Sequence, residues 1–221
     1  MIRVTVHNEI HELLRIGVLE MEGMQMPADN GDRIWELFDG LSADLHERYA
    51  NCTVGEIEGV QNARSLYRAI GIDPTKTRPS SEALLRRSIK GKGVYRIHPL
   101  VDLLNYVSLK YLIPVGLYDI SKIRGTSVRI QIGEDGWGFD GIRKSRVNVA
   151  GRMCVADAEG PFGSPTSDSL RTSIEGDVSG ALVLLYQSHT HAPKALETLL
   201  TFAQSVLTEH MGGQSIQLQI L

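Results

Sequence analysis

A chain of 221 residues, 42% hydrophobic and 22% charged, is long enough to bury one sizeable core or two closely joined lobes, with the composition of an ordinary soluble globular protein. Its formal net charge of -3 argues against a general nucleic-acid binder, and no apolar run reaches the ~20 residues of a membrane span. The start, M-I-R-V-T-V-H-N, lacks the apolar stretch of a signal peptide. Two cysteines, Cys52 and Cys154, cannot form a metal site alone, so a cytoplasmic compartment and no bound cofactor are expected.

Two strands are predicted first, Ile2 to Val6 and about Ile16 to Met21, then a turn at Met26 to Gly31 with Asp29, Asn30 and Asp32 as helix starters. Ile34, Leu37, Phe38, Leu41 and Leu45 mark an amphipathic helix to about Tyr49. After a polar connector, Asn51 to Glu58, a second helix spans roughly Val60 to Ile70, with Gly71 as its left-handed terminator and Pro74 preventing continuation. Thr75 to Pro79 reads as a loop. Ser80 or Ser81 can cap a third, basic helix that ends at Gly91-Lys92-Gly93. Pro99 suits the first turn of a helix carrying Asp102 and Asn105, with His98 at its entry as a capping or surface residue.

From Thr126 onward the pattern turns to short β runs divided by Gly and Pro: Val128 to Ile132, Arg146 to Val149, Met153 to Ala156 and Ala181 to Tyr186. Cys154 lies inside such a run and reads as a small buried residue. A final helix begins near Pro193 and ends at Gly212, and Ile216, Leu218 and Ile220 alternate as a last strand. Long helices around short, mostly antiparallel strands indicate an α+β fold.

Charge is segregated. Glu9 to Glu58 holds 12 acidic and 3 basic residues, whereas Arg64 to Arg96 holds 9 basic and 2 acidic ones. Such a division is either a solvated face, an internal pairing between halves, or a local phosphate-binding surface built on Arg78, Arg86, Arg87, Lys90 and Lys92.

Two segments carry unusual chemistry. In V-D-L-L-N-Y-V, Val101 to Val107, helical spacing puts Asn105 on a face with Val101, Leu104, Ser108 and Leu112, where a polar group needs a partner. Asn105 either holds a neighbouring loop or forms a pocket wall. In D-A-E-G-P-F-G-S-P-T-S-D-S-L-R-T, Asp157 to Thr172, Gly and Pro force a turn-rich loop loaded with hydroxyls and the carboxylate of Asp168. It is either a solvated loop that satisfies its own backbone or a functional loop whose N–H groups hold a carboxylate, ester oxygen or phosphate. His189 and His191 form an H-x-H pair, but no carboxylate or cysteine lies nearby in sequence, so no metal site is expected.

The first segment, with its continuation P-V-G-L-Y-D-I-S-K-I-R-G, resembles the tRNA-editing domain of the bacterial phenylalanyl-tRNA synthetase beta subunit. Val101, Asp102, Asn105, Tyr106, Val107, Pro114, Asp119, Ile123 and Gly125 fall on that family's pattern, and Tyr118 replaces its Phe. A weaker match runs through Gly133, Glu134, Phe139, Asp140 and Gly141, and the resemblance covers roughly residues 55 to 190. It implies a β core with barrel character and a free-standing relative that meets the aminoacyl end of tRNA. The implied pocket is lined by Tyr106, Gly116, Tyr118, Gly160, Phe162, Gly163, Thr166, Asp168 and Ser169. Asp102, Asn105 and Ser167 would stand nearest the chemistry. Two family positions depart: a histidine is Gly116 here, and a glutamate that ends a strand falls on Leu185 or Tyr186.

The chain is therefore expected to form one unit, with an acidic strand/helix segment at 1–54, a family-like core at 55–190 and a C-terminal helix and strand at 191–221. Three functions follow: binding of aminoacyl-tRNA with possible ester hydrolysis, non-catalytic binding of an amino acid or small metabolite, or hydrolysis of an unrelated ester by the Ser/Asp loop. A positioned water and an oxyanion-stabilising loop suffice for the first.

Overall fold

The computed structural model describes residues 1–142, 144–189 and 191–221. The elements in chain order are β1 (Arg3–Val6), α1 (Asn8–His11), β2 (Leu14–Glu22), α2 (Asp32–Tyr49), α3 (Glu58–Ala69), α4 (Ser80–Ile89), α5 (Pro99–Tyr111) and β3 (Val115–Asp119). There follow β4 (Ser127–Ile132), β5 (Gly138–Gly141), β6 (Lys144–Asn148), β7 (Met153–Asp157), β8 (Gly160–Ser164), β9 (Ser167–Asp168), β10 (Gly180–Ser188), α6 (Pro193–Met211) and β11 (Gln214–Ile220). This is an α+β fold of mostly antiparallel sheets.

Local chemistry explains the ends of the helices. Asp29 accepts hydrogen bonds from the Gly31 and Arg33 N–H groups and so starts α2 from outside. Past α3, Gly71 takes φ +75° and Ile72 N–H returns to the Tyr67 carbonyl, as a left-handed terminator should. Neither Ser80 nor Ser81 caps α4: the N-cap is Pro79, with no side-chain cap, and Ser81 is buried. His98 caps α5, its Nδ1 accepting from Leu100 N–H at 3.2 Å, with Pro99 in the first turn.

One sheet runs β11-β2-β10-β3 and is antiparallel throughout. A second runs β1-β4-β7-β8-β9, parallel only between β1 and β4, and β5-β6 form a separate ribbon. Both main sheets are open, so the barrel character implied by the resemblance is not realised. The acidic N-terminal segment is woven into both sheets through β1 and β2.

Side chains alternate across a strand, so the long β10 divides two cores. Ala181, Val183 and Leu185 pack on the helical side with residues of α2, α5 and α6. Leu182, Leu184 and Tyr186 face the second sheet, with Val128, Ile130, Met153, Val155 and Phe162, and with Leu66 and Tyr67 of α3. The segment expected as a turn-rich loop is a hairpin of this second sheet, in which β8 pairs with β7 and β9. Its backbone bonds go to neighbouring strands.

Candidate functional site

The glycines of β3 and β8 make room for one aromatic ring. A Cβ on Gly116 would lie 2.7 Å from the Tyr118 hydroxyl and 3.0 Å from that of Tyr186. A Cβ on Gly163 would lie 2.7 Å from two carbons of the Tyr118 ring. Tyr118 is fully buried, meets Phe162 edge-on with ring centroids 4.9 Å apart, and faces Tyr186, which is 1% exposed. Tyr67 closes the cluster by donating its hydroxyl to the Pro165 carbonyl at 2.7 Å.

Asp168 is half-buried as a residue, and its carboxyl points inward here, with Oδ1 out of contact with solvent. Burial pushes its pKa from 3.8 up to about 7, and the Tyr118 hydroxyl beside it pulls the other way. Burial likewise pushes the Tyr118 and Tyr186 hydroxyls well up. The Tyr118 hydroxyl lies close to both Asp168 and Tyr186, yet it, Asp168 Oδ1 and the Tyr186 hydroxyl lack hydrogen bonds of regular geometry. Near neutral pH the phenols are uncharged, and Asp168 is poised between its two forms. Gly116, where the resemblance would place a histidine, is thus closed over by Tyr118 and Tyr186, the latter being one of the two positions, Leu185 or Tyr186, on which the resemblance would place a glutamate.

On the far side of Tyr186 the interior opens. A cavity of about 310 Å³ lies at the end of β10, between α3, the last turn of α5 and the first turns of α6. Its lining is mainly apolar: Ala63 and Leu66 from α3, Tyr111 to Pro114 at the end of α5, and Ala195 and Leu199 from α6. The polar groups are Asn62, Gln187, Ser188, His191 and Thr198. Leu112 ends α5 at φ +53°, rare for leucine, and fits because Gly59 is bare: a Cβ there would stand 2.7 Å from the leucine side chain. Gln187, 7% exposed, has an Oε1 without a hydrogen-bond partner. Arg15 reaches the mouth, its Nη1 donating to the His191 carbonyl at 2.9 Å. The 19-residue α6 begins there with no capping side chain; Pro193 brings no N–H and the Ala195 N–H bonds the Ala192 carbonyl at 3.1 Å, so the helix start offers little more than its positive dipole end.

The other residues singled out from the sequence scatter. Asp102 is buried and accepts from Trp35 Nε1 at 3.2 Å and Ile97 N–H at 3.1 Å, tying α5 to α2 and to the preceding loop. Burial raises its pKa, against the pull of those hydrogen bonds. Asn105 is half-buried on the same helix and does not line the cavity. Tyr106 lies between Phe38 and Phe202, its ring tilted against both. The helical layer and the 160–169 hairpin lie on opposite faces of the β2-β10-β3 sheet, so Asp102 and Asn105 do not join Ser167 and its neighbours in one pocket.

Within the hairpin, Gly160 takes the β7–β8 turn at φ +117°. The Ser167 hydroxyl donates to the Thr166 carbonyl, the Ser164 and Thr166 hydroxyls pair, and Ser169 pairs with Thr172. These hydroxyls satisfy the turn itself.

The basic segment divides. The carboxylate of Glu82, fully buried in α4, accepts two hydrogen bonds from Arg64 at 2.7 Å and one from Arg86 at 2.8 Å, with Arg78 at 3.5 Å. Burial raises the Glu82 pKa, but the Arg64 and Arg86 hydrogen bonds outweigh it and the net shift is downward. Glu82 therefore adds stability above its unfolded pKa of 4.5 that is lost as pH falls through the lower folded value. Replacing Glu82 by Gln is expected to lower the unfolding free energy at pH 7 by about 2–4 kcal/mol, a difference that narrows below pH 4 in urea titrations. Arg87 lies over the Tyr95 ring at 4.3 Å and binds the Gly93 carbonyl, while Lys90 and Lys92 are exposed.

The cavity was not read from the sequence, although one signal pointed to it. Gln187 follows Val183 and Leu185 at period two on the apolar helical face of β10, where a glutamine is out of pattern. Among the described residues no group of three or more His, Cys, Asp or Glu is placed to hold a metal, and no helix is long and apolar enough to cross a membrane.

No curated protein matches the chain. Residues 62–179, more than half its length, match the B3/4 domain, the domain type found in the editing region of the phenylalanyl-tRNA synthetase beta subunit, and the matched stretch holds Gly116, Tyr118, Gly163 and Asp168. On that match the chain belongs to the B3/4 domain family.

Proposed function

We propose that the chain is a binding module of the synthetase-editing type that receives the aminoacyl end of tRNA without hydrolysing the ester. The amino-acid side chain enters the 310 Å³ cavity, and the uncapped start of α6, with Arg15 and Lys194, meets the polar and anionic groups that remain outside. The observation that carries this reading is the filled interior at Gly116: with Tyr118 and Tyr186 in contact distance of that backbone, no space is left there for a scissile ester and an attacking water. The hydroxyls of Ser164, Ser167 and Ser169 do not replace the lost groups, because they are bonded within their own turn.

The test is deacylation of a panel of correctly and wrongly charged tRNAs. The expected result is a flat panel, each ester decaying at its rate in buffer. Release of one amino acid above that rate, repeated with independently purified protein, would sink the proposal.

A second reading has one observation in its favour. Arg64, Arg78 and Arg86 gather on Glu82, whose one negative charge offsets one of their three, and Arg64 and Arg86 are held to it by hydrogen bonds rather than free to meet a phosphate backbone. A free amino acid or small metabolite would then be the natural ligand of the same cavity.

A further inference from the structure

Each main sheet has two edges, and three of the four are blunted or covered. β1 is only four residues long and carries the exposed Arg3. β9 is two residues long, and the β5-β6 ribbon meets the chain beside it through the Gly141–Ser169 bridge. β3 is overlaid at its end by the segment after β9, where the Asp119 N–H donates to the Thr172 carbonyl at 3.1 Å. The fourth edge is β11, and among the described residues no strand lies on its outer side. It runs seven residues, and the stretch from Gln214 to Leu221 holds no charged residue, proline or glycine. A bulge between Ser215 and Gln217 bends its first half; from Gln217 onward the ladder with β2 is regular.

The register defines what this free edge offers. Leu221 and Ile16 exchange both backbone hydrogen bonds, at 2.9 Å from the Leu221 N–H and 2.8 Å from the Ile16 N–H. In an antiparallel ladder such pairs alternate with pairs that exchange none. Ile220 opposite Gly17 and Leu218 opposite Leu19 therefore turn their N–H and C=O groups outward. The same two side chains are 36% and 39% exposed and share the face of the sheet on which α6 packs.

We propose that β11 is a homodimer interface, at which two copies of the chain join their sheets by antiparallel pairing of β11 with β11. Charge selects the occupant. A two-fold axis sets like residues against like, so a charged strand would repel its own copy, whereas this one is neutral throughout in a chain of net charge -3. With the axis at Gln219, Leu218 of each copy exchanges backbone hydrogen bonds with Ile220 of the other, and the apolar side chains gather on the α6 face. On the opposite face the two Gln219 amides stand across the axis, each able to donate and accept. β11 lies beyond residues 62–179, the stretch matched by the B3/4 domain, and the interface is independent of what the cavity binds. Strand-to-strand contact is at the small end of interface sizes, so reversible association is expected rather than a permanent dimer.

Sedimentation equilibrium of the whole chain, from about 1 to 200 μM, measures the association. Ile220→Pro removes an N–H that β2 does not use, so the ladder within the monomer survives while the outer edge loses a donor. Gln219→Cys puts two thiols across the axis; Cys52→Ser in the same protein removes the exposed native thiol. Glu36→Cys, exposed on α2, is the control in that background. Circular dichroism and urea midpoints establish that each variant is folded.

Wild type is expected to pass from monomer to dimer across the range, and Ile220→Pro to weaken the dimer by about tenfold or more. In oxidised glutathione Gln219→Cys is expected to form a disulfide-linked dimer well ahead of Glu36→Cys. A wild type that stays monomeric at the highest concentration leaves the edge to a strand of some other protein and overturns the proposal. A dimer whose constant is unchanged in Ile220→Pro, or that Gln219→Cys links no faster than Glu36→Cys, forms through another surface and overturns it equally. If Ile220→Pro does not fold, the cross-linking pair decides alone.

Discussion

At pH 8 the Asp168→Asn protein is expected to be more stable than wild type by about 4 kcal/mol, whereas at pH 4 the two should differ by less than about 1 kcal/mol. Burial lifts the folded pKa of Asp168 from 3.8 to about 7, so between those values the native protein holds a proton that the unfolded chain has released. Stability from this group is present in full below pH 3.8, declines with rising pH, and levels off above about 7. At ~1.4 kcal/mol per pKa unit the loss accumulates to the stated figure. Asparagine keeps the shape, has no charge to bury and can bond the Tyr118 hydroxyl. Urea unfolding of both proteins at pH 4, 5.5, 7 and 8 measures the difference directly. Other carboxylates with lowered pKa, such as Glu82 and Asp157, give the parent curve an opposite slope, which is why the difference between the two proteins is the quantity to follow. A difference that does not change with pH would mean that Asp168 is solvated in the native state.

The second large effect belongs to the ring packed between Gly116 and Gly163. Tyr118→Ala is expected to cost about 3–5 kcal/mol of unfolding free energy, the range found for deleting a buried aromatic side chain. The loss combines the contact with Phe162 and the close approach to Gly116 and Gly163, neither of which has a side chain to collapse into the hole. Tyr118→Phe, which keeps the ring, should cost only about 1 kcal/mol. Water entering the space left by alanine should also hydrate Asp168, lower its pKa and flatten the pH dependence described above. Unfolding midpoints for the three proteins at pH 5.5 and 8 decide it. A Tyr118→Ala protein within about 1 kcal/mol of wild type would contradict the packed interior on which the proposed binding without hydrolysis rests.

Both effects concern residues that the sequence marked, but for a different reason from the one expected. Gly160, Phe162, Gly163, Ser167 and Asp168 stood out as a glycine- and hydroxyl-rich loop. The structure makes them a hairpin in which Gly163 is needed for the approach of Tyr118 rather than for a turn. Nothing in a one-dimensional pattern separates those two uses of glycine. The helices α2 and α6 were legible because apolar residues recur at helical spacing over many turns, and β2 and β10 because their apolar runs are bounded by turn residues. The polar positions of α5 signalled a real constraint: Asp102 needed partners and has them in Trp35 and Ile97, as an internal strap. The cavity escaped because residues near 62, 112, 187 and 195, at the ends of four elements, meet only in three dimensions. The pairing within the basic segment was equally hidden, since the buried Glu82 that gathers three of its arginines is a single acidic letter in a basic run.

The central claim, binding of the aminoacyl end without cleavage, is tested most directly by equilibrium binding of charged and uncharged tRNA at one fixed salt concentration, with Ala195→Trp alongside. Charged tRNA bound more tightly than uncharged, recovered with its ester intact and losing that preference in Ala195→Trp, is the result expected. Equal affinity for the two, or no affinity for either while free amino acids bind, would contradict it.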